Sequence, residues 1–227
     1  MFSDKNTSLL RTGQISMSQR RAGHVNRCSN CRINNHFCVC AYLNPFEIET
    51  NVSLIVHVSE LKLTSNTAQF VEKLLPKQAQ IFIRGRVNDT FDADPLLARP
   101  GRALFLFPDE DSLEINEDFK AKYPGPYHLI VPDGNWNQAK KVKKREPKFD
   151  EIPTVKLPPG LIAEYKLRKA PRPDWVSTFE AAAYAIGALE DKNPQGKMMS
   201  FFRKWVQATL DSRSGNFNLV RSGDSED

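Results

Sequence analysis

The chain has 227 residues, 40% hydrophobic and 26% charged, with a formal net charge of +5. That balance reads as globular and soluble, long enough for one full domain plus an appendage. No apolar run reaches transmembrane length, which excludes a spanning helix and argues against a membrane partner.

The positive charge is unevenly placed. It gathers at Arg20, Arg21, Arg27 and Arg32, again from Lys140 to Arg145, and again at Arg168, Lys169 and Arg172. A lone run of this kind is usually a solvated helix face. Three separated clusters point instead to a polyanion as partner.

Residues 1–24 surround no apolar core of signal-peptide type and are expected to form a flexible basic arm, so the cytoplasm is the expected location. Next comes "CSNCRINNHFCVC", which holds all four cysteines: Cys28, Cys31, Cys38 and Cys40. With no secretory signal, a disulfide framework is disfavoured. Four thiolates spaced C-x2-C and C-x-C across a short loop can close on one tetrahedral zinc ion. His36 lies inside the loop and could replace one cysteine. A site closed by four thiolates has no open position for a substrate, so the zinc is expected to be structural. It would make residues 25–45 a knuckle and fix Arg27 and Arg32 in space.

Beyond the knuckle the pattern alternates. "NVSLIVHV" (51–58), "AQIFIR" (79–84), "RALFLFP" (102–108), "YHLIVP" (127–132) and "IPTVKLP" (152–158) predict strands. "NTAQFVEKLL" (66–75), "WNQAKKVKKRE" (136–146), "TFEAAAYAIGALED" (178–191) and "GKMMSFFRKWVQATLDS" (196–212) predict helices. Strands this uniformly apolar are buried on both faces, so the expected fold is α/β, a mostly parallel sheet flanked by helices over residues 46–213. Residues 214–227 read as a flexible tail. Neither a G-x-G-x-x-G nor a Walker loop is present, so a dinucleotide enzyme held by a glycine-rich first turn loses its support. Ligands of such sheets sit beyond the carboxyl ends of the strands, where Asp109, Asp133 and the 158–177 connection fall.

Each candidate has a plain structural alternative. Asp133 opens "DGNW" and could serve only as a turn residue or helix cap, while Trp136 could fill core. As functional groups, a strand-end carboxylate and an aromatic face would place a proton acceptor beside a stacked planar ligand. Ser177 and Glu180 match the S-x-x-E capping box, whose helix start could also offer N–H groups to an anion. In "HVSELKLTSNTA", His57 reads as a core histidine, Glu60 as a surface acid, and Asn66 and Thr67 as helix starters.

Taken in order, the knuckle, "HVSE…NTA", "LFLFPDED", "DGNW" and "STFEA" resemble the DTW-domain family of tRNA-uridine aminocarboxypropyltransferases over roughly residues 25 to 210. The resemblance implies a SPOUT-like catalytic domain whose C-terminal part forms a trefoil knot, with S-adenosylmethionine as co-substrate. The loops implied to bind it contain Leu106, Phe107, Pro108 and Asp109; then Asp133, Gly134, Asn135 and Trp136; then Leu167 through Ser177, Thr178 and Glu180. The implied reaction moves the 3-amino-3-carboxypropyl group to N3 of a tRNA uridine, in the variable loop by bacterial habit, and releases methylthioadenosine. Asp133, with its pKa raised by burial near Trp136, is the expected base, or else the ligand of the cofactor amine. Lys140, Lys141, Lys143 and Lys144, with Arg27, Arg32, Arg168 and Arg172, would bind tRNA phosphates. Two positions depart from the family pattern: Asn135 stands for threonine in D-x-T-W, and His57-Val58 stands for His-Pro. The rival readings are a SPOUT-type RNA methyltransferase, which would release adenosylhomocysteine, and a non-catalytic zinc-knuckle RNA-binding module. Nothing in the sequence sets an oligomeric state.

Overall fold

The computed structural model describes residues 26–87, 90–134, 136–167 and 175–214. The expected arm, the tail beyond Ser214, and Asn135, Arg168 and Arg172 lie outside the described residues.

Six strands form one sheet: β1 (Asn51–His57), β2 (Ala79–Arg84), β3 (Arg102–Leu106), β4 (Leu113–Glu114), β5 (Tyr127–Asp133) and β6 (Thr154–Lys156). Their order is β2-β1-β5-β3-β6-β4, and every neighbouring pair is parallel. The helices are α1 (Ala68–Leu74), α2 (Asp94–Leu97), α3 (Glu117–Lys122), α4 (Trp136–Lys144), α5 (Thr178–Leu189) and α6 (Lys192–Ser214). The α/β expectation therefore holds, with the sheet wholly parallel among the described residues.

Alternation along the strands separates two cores. Val52, Leu54 and Val56 of β1, with Leu129 and Val131 of β5, face α1, α5, α6 and the cysteine loop. Ile55 and Ile130 face the other way, toward Leu96 of α2 and Ala139 and Val142 of α4. Because the side-chain period of a strand is two, each apolar strand feeds both layers. The first layer holds an aromatic stack in which Phe179 lies on Phe202 at 4.8 Å and Phe70 meets Trp205 at 4.9 Å. Burying such a ring stabilises the fold by about 2–3 kcal/mol.

The outcome differs from the sequence pattern at its shortest pieces. α2, α3 and β4 are too brief to carry a periodic signal. α6 starts at Lys192, earlier than the pattern predicts, because Pro194 sits in its first turn, where a missing N–H removes no helical bond.

The strand order fixes where a ligand can sit. From β1 the chain leaves toward β2 through α1 on one face, while from its neighbour β5 it leaves toward β6 through α4 on the other. The two connections diverge, opening a crevice beyond the carboxyl ends of β1 and β5. Asp133, the last residue of β5, stands there in register with Val56.

At the middle of the sheet His128 is fully buried, with its Nε2 2.8 Å from Ser53 Oγ. Burial, and then the charge on Arg99, push its pKa down from 6.5 to about 4. The unfolded chain takes up this proton near pH 6.5 and the native state only near 4. The resulting stability is complete above 6.5 and lost as pH falls through that window. Denaturant melts should show a fall of about 3 kcal/mol from this group between pH 7 and 4. The double variant Ser53→Ala, His128→Leu should lack that component.

Candidate active site and metal centre

Asp133 is 8% exposed, and two segments remote in sequence converge on it. Asn66 Nδ2 donates to Oδ2 at 2.7 Å, and the Thr178 hydroxyl donates to Oδ1. The start of α1 and the start of α5 are also tied to each other, since Thr67 Oγ1 accepts from the N–H of Phe179 at 3.3 Å. A buried carboxylate demands donors, and these two complement its charged form. Asn66 stands one residue before the N-cap of α1 and accepts the Gln69 N–H at 3.4 Å, but its amide is the part that reaches Asp133. Local sequence shows only a helix start.

The start of α5 is organised by a second buried acid. Glu180 is wholly inaccessible, and Ser177 and Glu180 form the complete capping box. Its Oε2 accepts from Ser177 N at 2.7 Å, while Oε1 accepts from Glu164 N at 2.5 Å and Tyr165 N at 3.1 Å. Two first-turn N–H groups of α5 thus go to protein oxygens: Phe179 to Thr67 and Glu180 to Ser177 Oγ. The loop after β6 is clamped further by α6 and by the segment that leads into α1. Arg203 grips Glu164 through two bonds of 2.6 and 2.8 Å, the Tyr165 hydroxyl reaches Ser65 O at 2.8 Å, and Arg213 donates to Leu167 O at 2.9 Å. Leu167 is buried, next to the first of the residues that are not described.

After β3, Leu106 and Phe107 are buried while Pro108 and Asp109 are exposed. Ser112 closes this turn, donating to Phe107 O at 2.8 Å and accepting from Asp109 N at 2.9 Å. Gly134 and the backbone of Trp136 carry the chain from β5 into α4. The strand-end loops of the sequence reading thus all leave the carboxyl edge of one sheet.

The lysine run divides. Lys140, Lys141 and Lys144 are exposed on α4. Lys143 turns inward and donates to Ile152 O at 2.6 Å and Thr154 Oγ1 at 2.8 Å, fastening α4 to β6. Arg27 is exposed, its Nη1 donating to Arg32 O at 3.2 Å. Arg32 spans from the cysteine loop to the turn after β1 through a 2.7 Å bond to Leu61 O. That bond, with Arg32 N–H donating to Cys28 O at 2.8 Å, helps hold Arg32 at φ 62°, a conformation costing a non-glycine residue about 1–3 kcal/mol.

The cysteines form one cluster. The sulfurs of Cys28, Cys31, Cys38 and Cys40 all lie within 4.8 Å of one another, with Cys28–Cys40 at 3.6 Å and Cys31–Cys38 at 3.7 Å. A tetrahedron of thiolates about 2.3 Å from a central ion has edges of about 3.8 Å, close to the two shortest separations, so the donor set suits a metal ion with a small contraction of the longer ones. His36 is not in the set. Backbone N–H groups of Cys31 and Asn30 draw the Cys28 thiol down to about 6, whereas burial pushes Cys40 up to about 12. Gathering further thiolates is costly without a cation at the centre. The cluster is anchored to the core through Trp205, whose Nε1 donates to Cys31 O at 3.4 Å.

Comparison with known proteins gives a consistent result. The family described as DTW domain matches residues 25–210. The chain is 27% identical over 170 residues to tRNA-uridine aminocarboxypropyltransferase 2 of Macaca fascicularis, covering 73% of this chain and 57% of that protein. It is 29% identical over 185 residues to the protein of the same name in Drosophila melanogaster, covering 78% and 72%. It is 28% identical over 226 residues to tRNA-uridine aminocarboxypropyltransferase A of Arabidopsis thaliana, covering 85% of each. The chain thus spans little more than half the length of the macaque relative.

Glu180→Gln should destabilise the protein by about 2–3 kcal/mol, because the new amide turns an N–H toward backbone donors. Urea denaturation should report the loss, and limited proteolysis should find faster cutting between residues 157 and 167. Unchanged stability would mean that the loop does not depend on this carboxylate.

Proposed function

The chain belongs to the DTW domain family, and on that premise we propose that it is a tRNA-uridine aminocarboxypropyltransferase acting in the cytoplasm. The observation that carries the reading is the convergence of three family segments, "NTA", "DGNW" and "STFEA", on the single carboxylate of Asp133 at the sheet's crevice. The names of the relatives give the class of transfer, and the donor and acceptor atom are part of our reading. The donor is S-adenosylmethionine, which when bound offers an electrophilic γ-carbon and a sulfur that leaves as neutral methylthioadenosine. The acceptor is N3 of a uridine, in the variable loop on the family's bacterial pattern.

The residues present suit a zwitterionic, partly apolar donor. Leu106, Phe107 and Leu167 contribute apolar surface, Pro108 and Asp109 an exposed turn, and Ser177 and Thr178 hydroxyls. Asp133 is the residue we assign to the imide proton. Asn66 and Thr178 hold its carboxylate in one orientation, so the acceptor meets a positioned base rather than a mobile one. Trp136 starts α4 three positions later and is assigned the planar ligand. Gly134 follows the acid directly, and Asn135 is assigned to the same donor-binding loop, its amide in place of the family's hydroxyl. Glu180 acts through others, keeping the 164–165 backbone and the start of α5 in place. A SPOUT-like knotted path of the chain is part of the same reading.

The cysteine cluster is assigned a structural zinc ion held by Cys28, Cys31, Cys38 and Cys40. Its closed donor set gives it no part in the reaction. The exposed lysines Lys140, Lys141 and Lys144, with Arg27, are assigned to tRNA phosphates, as are Arg168 and Arg172. Arg32, engaged by the turn after β1, and Lys143, engaged by β6, serve mainly to set the surfaces around them.

The decisive experiment incubates unmodified tRNA with S-adenosylmethionine and analyses the nucleosides by mass. Wild type should yield aminocarboxypropyluridine and methylthioadenosine, and Asp133→Ala should be slower by roughly 100-fold or more. Full turnover by Asp133→Ala would remove it as base, and adenosylhomocysteine as by-product would mean methyl transfer instead. Separately, the purified protein should carry about one zinc ion per chain, and Cys31→Ser should lose it by atomic emission after dialysis. Unchanged zinc content in that variant would refute the ligand set.

A further inference from the structure

Asp133 also borders a cavity of about 310 Å³, to which Arg84, Gly85 and Arg145 contribute besides the motif residues. It lies on the opposite side of β5's end from β3, between the carboxyl ends of β1 and β2 and one face of α4. Its volume is near the bottom of the range of roughly 300–1000 Å³ for small-molecule sites, room for one nucleotide unit.

The charges around it are arranged by sign. Arg84, the last residue of β2, lines it together with Lys141 and Arg145 of the α4 region, its Nη1 donating to Lys141 O at 3.5 Å, and Asp133 is the acidic lining residue. Arg84 is partly buried, and burial first, then the like charge of Arg145, disfavour its cationic form, with Glu146 a partial offset. An anion seated between the two guanidinium groups would relieve that repulsion, and a phosphate matches their planar forks.

The remaining walls supply donors and apolar surface. His57 Nδ1 accepts the Ser59 N–H at 3.3 Å and lies 2.7 Å from Ser59 Oγ, so in the neutral ring Nε2 carries the proton. Gly85 makes room for that edge. Its φ is +85°, and a Cβ there would stand 2.5 Å from His57 Nε2. Asn137 and Gln138 bring side-chain amides from the first turn of α4, and Ile55 and Val142 provide apolar wall. Unstacked bases are read by just such hydrogen-bonding edges.

We infer that this cavity is the acceptor subsite, taking a single unstacked uridylate unit with its phosphate between Arg84 and Arg145 and its N3–H turned to Asp133. The uracil edge reads acceptor, donor, acceptor. The carboxylate meets the central N–H, and the Asn137 and Gln138 amides meet the flanking carbonyl oxygens. Cytosine has no N3 proton and presents a donor where uracil has O4, so it is rejected. The inference rests on the proposed transfer for the identity of the RNA, but nucleotide binding in the cavity is measurable without any reaction.

The test titrates the protein with uridine 5′-monophosphate, and with the cytidine analogue, by ligand-observed NMR. It also measures KM for tRNA and Kd for S-adenosylmethionine. Arg84→Gln and Arg145→Gln should each weaken uridylate binding roughly tenfold and raise KM for tRNA similarly, with the donor Kd unchanged. Arg145 is exposed, so its variant carries the test should Arg84→Gln unfold. Lys122→Gln, at an exposed position of α3, should move none of these values. Failure of wild type to bind uridylate at about 10 mM, equal binding of the cytidine analogue, or indifference to Arg145→Gln would overturn the subsite. Absence of transfer with uridylate binding intact would refute the proposed reaction and leave the subsite standing.

Discussion

The amide of Asn66 and the hydroxyl of Thr178 close on the two oxygens of Asp133, and the functional edge of the sheet is arranged around that pair of bonds. A carboxylate this far from water is stable only with donors at hand. The donors come from the starts of two helices, 67 and 45 residues away in sequence, so satisfying the acid requires α1 and α5 to abut at the end of β5. Thr67 and Phe179 complete the junction. The same demand for partners that places the acid also sets the loops on either side of it.

Two buried acids near this edge divide the work by their partners. Glu180 spends its oxygens on three backbone N–H groups and presents none of its surface to solvent. Asp133 accepts from the Asn66 and Thr178 side chains and borders a cavity. An acid saturated by backbone acts as a structural staple. An acid oriented by neutral side chains next to open space is placed to meet a ligand.

The cysteine loop is joined to this machinery without belonging to it. Trp205 bonds to Cys31 O from within the aromatic stack, and Arg32 bonds to Leu61 O in the turn that follows β1. Lys73 of α1, a cation beside the cluster, donates to Asn30 O and Gln69 Oε1. The loop therefore shares its supports with the segment that supplies Asn66, and disorder in one is transmitted to the other by packing.

What the sequence by itself determined is local. The apolar runs of β1 and β5, the capping box at Ser177 and Glu180, and the cysteine spacing are each readable because the residues that satisfy them lie within a few positions of one another. The ordered motifs also pointed to Asp133. The short α2, α3 and β4 carried no period to read. The tertiary structure alone decided which ordinary-looking residues matter. Asn66 reads as a helix starter and Lys143 as one cation among several, yet one orients a buried acid and the other fastens α4 to β6. Arg84 and Gly85 are unremarked until β2 is laid beside β1 and faces α4. Their roles depend on partners tens of residues away, and hydrogen bonding and charge act through space, so only the strand order could reveal them.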